Sequence, residues 1–298
     1  MKLAPQNKLD GVKEFEFTTH DFARVKALIH KRAGIALTDT KQEMVYSRLA
    51  RRLRANGIVS FERYLDDLER GIDENEWEAF TNALTTNLTS FFREEHHFPI
   101  LAELMRNIKV PIAVWCSASS TGEEPYSIAM TACEVFGTLT PPVHIIATDI
   151  DTNVLSTASN GVYAIDKIAK MSAERVRHFF LKGKGEQEGL VRIRPELRQM
   201  VTFKQLNLLA DNLPISGPFD AIFCRNVMIY FDKPTQGKIL NKFRPLLKPD
   251  GLLFAGHSEN FLYVSDAFTL RGKTVYQLAS SARQGELGAV AAQMRSSL

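Results

Sequence analysis

Residues 111–136 read PIAVWCSASSTGEEPYSIAMTACEVF: an apolar run, a loop of small and acidic residues, then apolar positions at helical spacing. A short apolar run bounded by turn residues predicts a strand buried on both faces, and a helix directly after it starts a β-α unit. The loop lacks the GxGxxG pattern; Gly122 is its one glycine. Its small residues suit close approach of the backbone to a ligand, and Pro125 suits a first helical turn. Glu123 and Glu124 at the helix start would repel a pyrophosphate and favour a cation or hydroxyl groups instead.

The pattern continues outward on both sides. VHIIATDI, MVTFKQLN, FDAIFCRN and GLLFAGH are further apolar runs, with helical stretches such as TQGKILNKFRPLL between several of them, so a mostly parallel sheet covered on both faces is expected. FTLRGKTVYQL predicts a hairpin around Arg271 to Lys273, adding antiparallel strands at one edge. The stretch from Gly161 to Met200 is longer than one crossover needs, and its LVRIR alternation predicts an inserted β subdomain. Residues 280–298 are small and polar and read as a flexible tail.

Upstream, residues 18–84 read as four short helices, with Gly34, Gly57 and Gly71 as stops. Thr40 and Glu43 have capping-box spacing at the start of the second, and Val45, Leu49 and Leu53 form its apolar stripe. Lys41, Arg48, Arg51 and Arg52 share another face, with Arg54 turned away. Such a face is either solvated or a dock for an acidic helix. The expected domains are residues 1–85, helical and substrate-recognising; 86–110, an interdomain segment; and 111–279, the sheet domain with its insert at 161–200.

Composition narrows the class. With 45% hydrophobic and 24% charged residues the chain reads as an ordinary globular protein, and a net charge of +3 does not by itself imply nucleic acid. The amino terminus lacks an apolar signal core and no run reaches the ~18 residues of a membrane span, so a cytoplasmic protein is expected. Cys116, Cys133 and Cys224 have no metal spacing and read as reduced thiols. Cys224 has no visible paired base and reads as a buried small residue rather than a nucleophile. His96 and His97 invite a metal, but neighbouring helical side chains diverge by about 100° and no further ligand cluster is apparent, so none is expected.

In an open α/β sheet, ligands bind beyond the carboxyl ends of the strands. There the second strand delivers Asp149, able to accept both ribose hydroxyls, with Asp151 or Thr152 free to cap the next helix. The third delivers Asn207 and Leu208, and the fourth Arg225 and Asn226, where an amide could read an adenine. Any one of these could be a plain loop residue; their shared edge singles them out. Asp149 fits the ribose of NAD or of S-adenosylmethionine, and the carboxylates of the first loop favour the latter.

NALTTNLTSFFREEHHF (82–98), SASSTGEEPYSIAM (117–130), FDAIFCRNVMIYF (219–231) and LLKPDGLLFAGHSENF (246–261) strongly resemble the CheR-type chemotaxis receptor methyltransferases. The resemblance covers all but the first residues and the last twenty or so. It implies an α/β fold: a doubly wound methyltransferase sheet with an antiparallel edge hairpin, an inserted β subdomain and an amino-terminal helical domain. It implies transfer of the methyl group of S-adenosylmethionine to receptor glutamates, giving methyl esters and S-adenosylhomocysteine, for sensory adaptation. By position, Asn87, Thr89 and Arg93 resemble the interdomain segment against the cofactor, and Glu124 and Asp149 its aminoacid-side and ribose contacts. Asn207, Leu208, Arg225 and Asn226 complete the adenosyl surroundings.

A glutamate acceptor is already anionic near neutral pH, so no general base is required. Arg93 and Tyr230 are the candidates to hold it, by a guanidinium fork and a hydroxyl donor, and Arg48, Arg51 and Arg52 to bind the receptor. The partners expected are methyl-accepting receptors, through their helical region and, because KGKGEQEGLVRIR resembles the longer form of the subdomain loop, a carboxyl-terminal pentapeptide. A monomer is expected. A nicotinamide-dependent oxidoreductase would need the missing pyrophosphate glycines. A nucleic-acid enzyme would need aromatics among the arginines or an Asn-Pro-Pro-Tyr stretch, and neither is present.

Overall fold

Thr18 and Asp21 start the first helix by a reciprocal cap: Thr18 Oγ1 accepts from Asp21 N at 3.1 Å, and Asp21 Oδ2 accepts from Thr18 N at 2.9 Å. The computed structural model describes residues 13–279, so the tail expected at 280–298 lies outside the described residues. The chain divides into two compact units between Thr85 and Thr86.

The first unit holds α1 (Thr19–Ala33), α2 (Gln42–Asn56), α3 (Phe61–Glu69) and α4 (Glu74–Leu84). Gly34 and Gly57 end α1 and α2 in the left-handed conformation, as expected. Val25, Ile29, Val45, Leu49, Leu53, Tyr64, Leu65 and Phe80 are fully buried and make the unit's core. The Thr40–Glu43 capping box does not form. A 3-10 turn over Asp39–Lys41 precedes α2, so Thr40 is already inside helical backbone. Its hydroxyl meets Thr38 Oγ1 at 2.9 Å, and Glu43 pairs with Lys13 at 2.7 Å.

The second unit runs α5 (His97–Asn107), β1 (Ile112–Cys116), α6 (Glu123–Phe136), β2 (Val143–Asp149), α7 (Thr152–Asn160), β3 (Val162–Ala164), α8 (Ala173–Phe179), β4 (Phe180–Lys182), β5 (Leu190–Ile193), α9 (Pro195–Gln199), β6 (Val201–Gln205), β7 (Phe219–Cys224), α10 (Lys233–Phe243), β8 (Leu247–Ala255), β9 (Phe268–Gly272) and β10 (Val275–Leu278). The main sheet has the order β6-β2-β1-β7-β8-β10-β9. β6, β2, β1, β7 and β8 are parallel, while β10 and β9 are antiparallel at one edge. β1 pairs with β2 on one side and β7 on the other, so the strand order reverses at its carboxyl end.

Both faces of the sheet are covered, which explains why its strands are apolar runs rather than alternations. Val114, Cys116, Phe223 and Phe254 point into a layer with Leu101, Tyr126 and Met130 from α5 and α6. Trp115, Ile222 and Leu253 point the opposite way, against Ile239, Leu240 and Phe243 of α10. The hairpin turns at Lys273 and Thr274, both with positive φ, one residue later than the sequence suggested.

The insert expected at 161–200 is a three-stranded antiparallel sheet in the order β3-β5-β4. The third strand is β3, too short for its alternation to stand out in sequence. The LVRIR stretch is the central strand β5. Between β4 and β5, Gly183 has no room for a side chain, because a Cβ there would lie 1.9 Å from the Gln187 carbonyl oxygen.

Candidate active site

The loop after β1 is shaped by packing beneath it. Gly122 has φ +97, and a Cβ there would stand 2.9 Å from both Ala158 Cβ and the Tyr163 hydroxyl. Tyr163 itself donates to the Thr121 carbonyl at 2.8 Å. Packing of α7 and the β subdomain beneath the loop is therefore enough to require glycine at 122. The loop leaves the hydroxyl oxygen of Ser119 buried and without a partner among the described residues.

Asp149 ends β2. Its Oδ2 accepts from Ser120 N at 2.8 Å and its Oδ1 from Asp151 N at 3.0 Å, so each oxygen keeps a lone pair for a further donor. Burial pushes its carboxyl up, against the pull of these amides. Asp151 caps α7, leaving Asp149 unneeded for that purpose, as expected. Beside it, β6 leads to Asn207, whose Oδ1 accepts from Leu209 N at 2.9 Å, and to the buried Leu208. Lys242 on α10 clamps this turn by donating to the carbonyls of Leu208, Leu209 and Ala210 at 3.2, 3.0 and 2.6 Å.

The end of β7 carries a buried ionic cluster. Arg225 donates from Nη1 to Glu124 Oε2 at 2.8 Å, and its Nη2 lies 3.4 Å from Glu94 Oε2 and donates to the Arg93 carbonyl. Glu124 also accepts the Cys116 thiol at 3.1 Å, and burial pushes its carboxyl up while Arg225 pulls it down. Burial alone would raise Glu94 too, but the His257 amide, Arg225 and Asn226 outweigh it and hold the group below the usual carboxylate range. Asn226 takes the left-handed φ of 57°, and its Nδ2 donates to Glu94 Oε1 at 3.2 Å.

Residues 87–96 lie along this same edge. Asn87 Nδ2 donates to Asp151 Oδ2 at 2.8 Å, and its carbonyl accepts from Ser120 Oγ at 3.0 Å. Phe92 N donates to Ser127 Oγ at 2.9 Å. Thr89 is half-buried between these anchors. Arg93 Nη1 donates to the Leu88 carbonyl at 2.9 Å, leaving the rest of its fork for another acceptor. Tyr230 is half-buried and closes a 3-10 turn that starts at Met228, two residues after Asn226.

Sequence reasoning passed over Glu94, Lys242 and Glu259. Glu94 directly follows Arg93, and Glu259 lies in the HSEN turn after β8, so strand-end position was the available signal. The histidine pair also needs correction, because Glu94, His96 and His97 do come together, with ligand atoms within 4.8 Å of one another. Their bonds point inward to the protein: His97 Nε2 is 3.0 Å from the Lys273 carbonyl, and Glu94 serves Asn226 and His257.

In the first unit, the basic face of α2 is partly spent on the fold. Arg48 Nη1 donates to the carbonyls of Ala83 and Thr85 at 3.2 and 2.5 Å, closing the end of α4. Arg52 forks onto Glu76 at 3.1 and 2.5 Å, and Glu76 also accepts the Tyr64 hydroxyl. Lys41 and Arg51 are exposed and make no ion pair among the described residues.

Residues 20–85 match the family model described as the all-alpha domain of CheR methyltransferase, and residues 87–277 its SAM binding domain. The chain belongs to the CheR methyltransferase family. It is 54% identical over 258 residues to the chemotaxis protein methyltransferase of Escherichia coli (strain K12), covering 87% of this chain and 90% of that one. It is 50% identical over 272 residues to chemotaxis protein methyltransferase 2 of Pseudomonas aeruginosa, covering 90% and 96%. The cofactor of this family domain is S-adenosylmethionine. The donor set fits it: Asp149 has acceptor capacity for two hydroxyls, Glu123 and Glu124 place carboxylates by the first loop, and the Ser119 hydroxyl, unpartnered among the described residues, lines the same turn. Among the described residues, no helix is long and apolar enough to cross a membrane.

Proposed function

We propose that this methyltransferase esterifies glutamate side chains of bacterial chemotaxis receptors, forming glutamate methyl esters and S-adenosylhomocysteine in sensory adaptation. The observation that supports the proposal is the placement of two hydrogen-bond donors beside the buried cluster of Arg225, Asn226 and Glu124: the Arg93 backbone carbonyl accepts from Arg225, and Tyr230 closes the turn that starts two residues after Asn226. Donors suit an acceptor that arrives already anionic.

S-adenosylmethionine supplies a methyl group activated by the sulfonium charge. Asp149 would hold the ribose hydroxyls, Glu124 the aminoacid end, and Asn207, Leu208 and Asn226 the adenine side, with Asn87 and Thr89 against the same ligand. Arg93 and Tyr230 orient the acceptor. When bound, the cofactor would offer its methyl carbon to the carboxylate oxygen and keep the carbon–sulfur electron pair as S-adenosylhomocysteine, so no residue of this chain needs to move a proton. The protein's share is alignment, which can contribute several kcal/mol, on the order of 7–11 in well-oriented systems. Radiolabel transfer from S-adenosylmethionine into a receptor fragment, followed by mild base, tests this: a carboxyl ester releases its label, and base-stable label points to a different acceptor.

Receptor recognition is assigned to the exposed part of the α2 face, led by Arg51, acting on an acidic receptor helix. The β subdomain is assigned a second contact, with the extended carboxyl-terminal pentapeptide of a receptor pairing along its edge. β4 is an edge strand of the three, and the Gly183–Gly189 turn beside it supports this assignment. The protein acts as a cytoplasmic monomer on these receptors.

A further inference from the structure

Glu259 lies in the turn after β8 and is 4% exposed, yet no step of the proposed transfer uses it. Its carboxylate gathers four backbone amides. Oε1 accepts from Val227 N at 2.9 Å and Met228 N at 2.7 Å, and Oε2 from Asn226 N at 2.9 Å and Gly256 N at 2.5 Å. The donors belong to two loops, those leaving the neighbouring parallel strands β7 and β8.

Three consecutive amides converge on one carboxylate only if the chain abandons extended geometry at once. It does so here: Asn226 has φ +57, Val227 has φ −122 and ψ −36, and the 3-10 turn to Tyr230 follows. The second loop closes over the first because residue 256 is glycine. A Cβ there would lie 2.5 Å from Asn226 Nδ2 and 2.8 Å from Glu259 Oε2. Burying a carboxylate is costly unless its lone pairs are filled, and no lysine or arginine among the described residues pairs with this one. The four amides are what hold the charge, so charge and loop shape depend on each other. Asn226 is thereby gripped twice, its backbone by Glu259 and its side-chain amide by Glu94.

We propose that Glu259 is a positioning residue for methyl transfer: its carboxylate sets the loop that carries Asn226 and Tyr230, so cofactor contact and acceptor contact are held as one rigid piece. This rests on the function proposed above. A neutral amide in its place would turn an NH₂ group towards amides that need an acceptor, and the loop would move.

Glu259→Gln and the charge-keeping Glu259→Asp are compared with the parent by amide hydrogen exchange, by calorimetry with S-adenosylhomocysteine and by receptor-fragment methylation at saturating cofactor. In the Gln variant, exchange in the 226–230 segment should quicken at least about tenfold while the rest of the sheet stays protected. Its kcat should fall roughly 100-fold, since displacement by about an ångström costs that much, and product affinity should weaken by less than about tenfold. The Asp variant should recover part of kcat. Parent-like exchange and kcat in the Gln variant overturn the proposal, as does exchange quickened evenly across the domain in both variants, which marks a structural role. If the parent itself fails to label the receptor fragment, the proposed reaction falls, while exchange and product affinity still decide whether Glu259 sets the loop.

Discussion

Arg225 Nη1 and Glu124 Oε2 are 2.8 Å apart although 101 residues separate them in sequence. The pair joins the end of β7 to the start of α6 across β1, with the guanidinium 1% and the carboxylate 12% exposed. Glu94 flanks the same guanidinium at 3.4 Å. One cation between two carboxylates leaves a local negative excess, which suits the ammonium of the cofactor's aminoacid end.

Asp149→Ala should weaken S-adenosylhomocysteine binding by roughly 10- to 100-fold, because ribose hydroxyls lose their acceptor and the Ser120 and Asp151 amides lose theirs. Calorimetry reads this directly. NAD should give no heat with the parent, since the first loop offers carboxylates where a pyrophosphate needs donors. Unchanged affinity in a folded variant would remove Asp149 from the site.

Arg93→Ala should lower methylation by more than its effect on cofactor affinity, about tenfold or more in kcat at saturating cofactor and receptor. Among the described residues only one of its amino groups is committed, to the Leu88 carbonyl. Full activity at saturation would make Arg93 a cofactor or fold contact alone.

On α2, charge reversals should separate. Arg51→Glu should slow receptor methylation and flatten its decline with salt, with cofactor affinity unchanged. Arg52→Glu should also destabilise the helical unit, by about 1–3 kcal/mol, because Glu76 loses its fork. Equal loss of stability in both variants contradicts this distinction. A methylation rate indifferent to salt and to Arg51→Glu leaves the face merely solvated.

His97 should make the sheet domain acid-sensitive. Its ring is fully buried, and burial first, then Arg225, lowers its pKa from 6.5 to about 4. The unfolded chain therefore takes up a proton that the folded one refuses. Stability from this group is complete above about pH 6.5 and is lost as pH falls towards 4, amounting to roughly 2–3 kcal/mol. Denaturant titrations of parent and His97→Gln between these limits should show a shallower pH slope in the variant. Identical slopes would assign the acid sensitivity elsewhere.

A receptor tail peptide of the tryptophan- and phenylalanine-containing type should bind the parent at micromolar concentration without changing kcat on a tailless fragment. Gly185→Val should weaken it, since residue 185 has φ +60 in the turn beside β4. Absence of binding at high micromolar peptide would defeat the tether.

The amino-acid sequence by itself determined the class of fold and the edge at which its chemistry lies. Runs such as IAVWC and AIFC are apolar at every position because both faces of the sheet are covered, and Asp149, Asn207 and Arg225 are displayed simply by lying at or just beyond strand ends. Local rules also sufficed for the glycine-stopped helices of the first unit. They failed where a second element intervened: the 3-10 turn displaced the cap at Thr40, and β3 was too short to register. Only the tertiary structure decided which charges are spoken for. Arg48 and Arg52 look as free as Arg51 along the helix, and Glu94 and Glu259 look like ordinary polar residues, because a hydrogen-bond partner 24, 32 or 132 residues away leaves no periodic trace in the chain. Periodicity reports which face a residue occupies; what waits at that face is set by the packing of other elements against it.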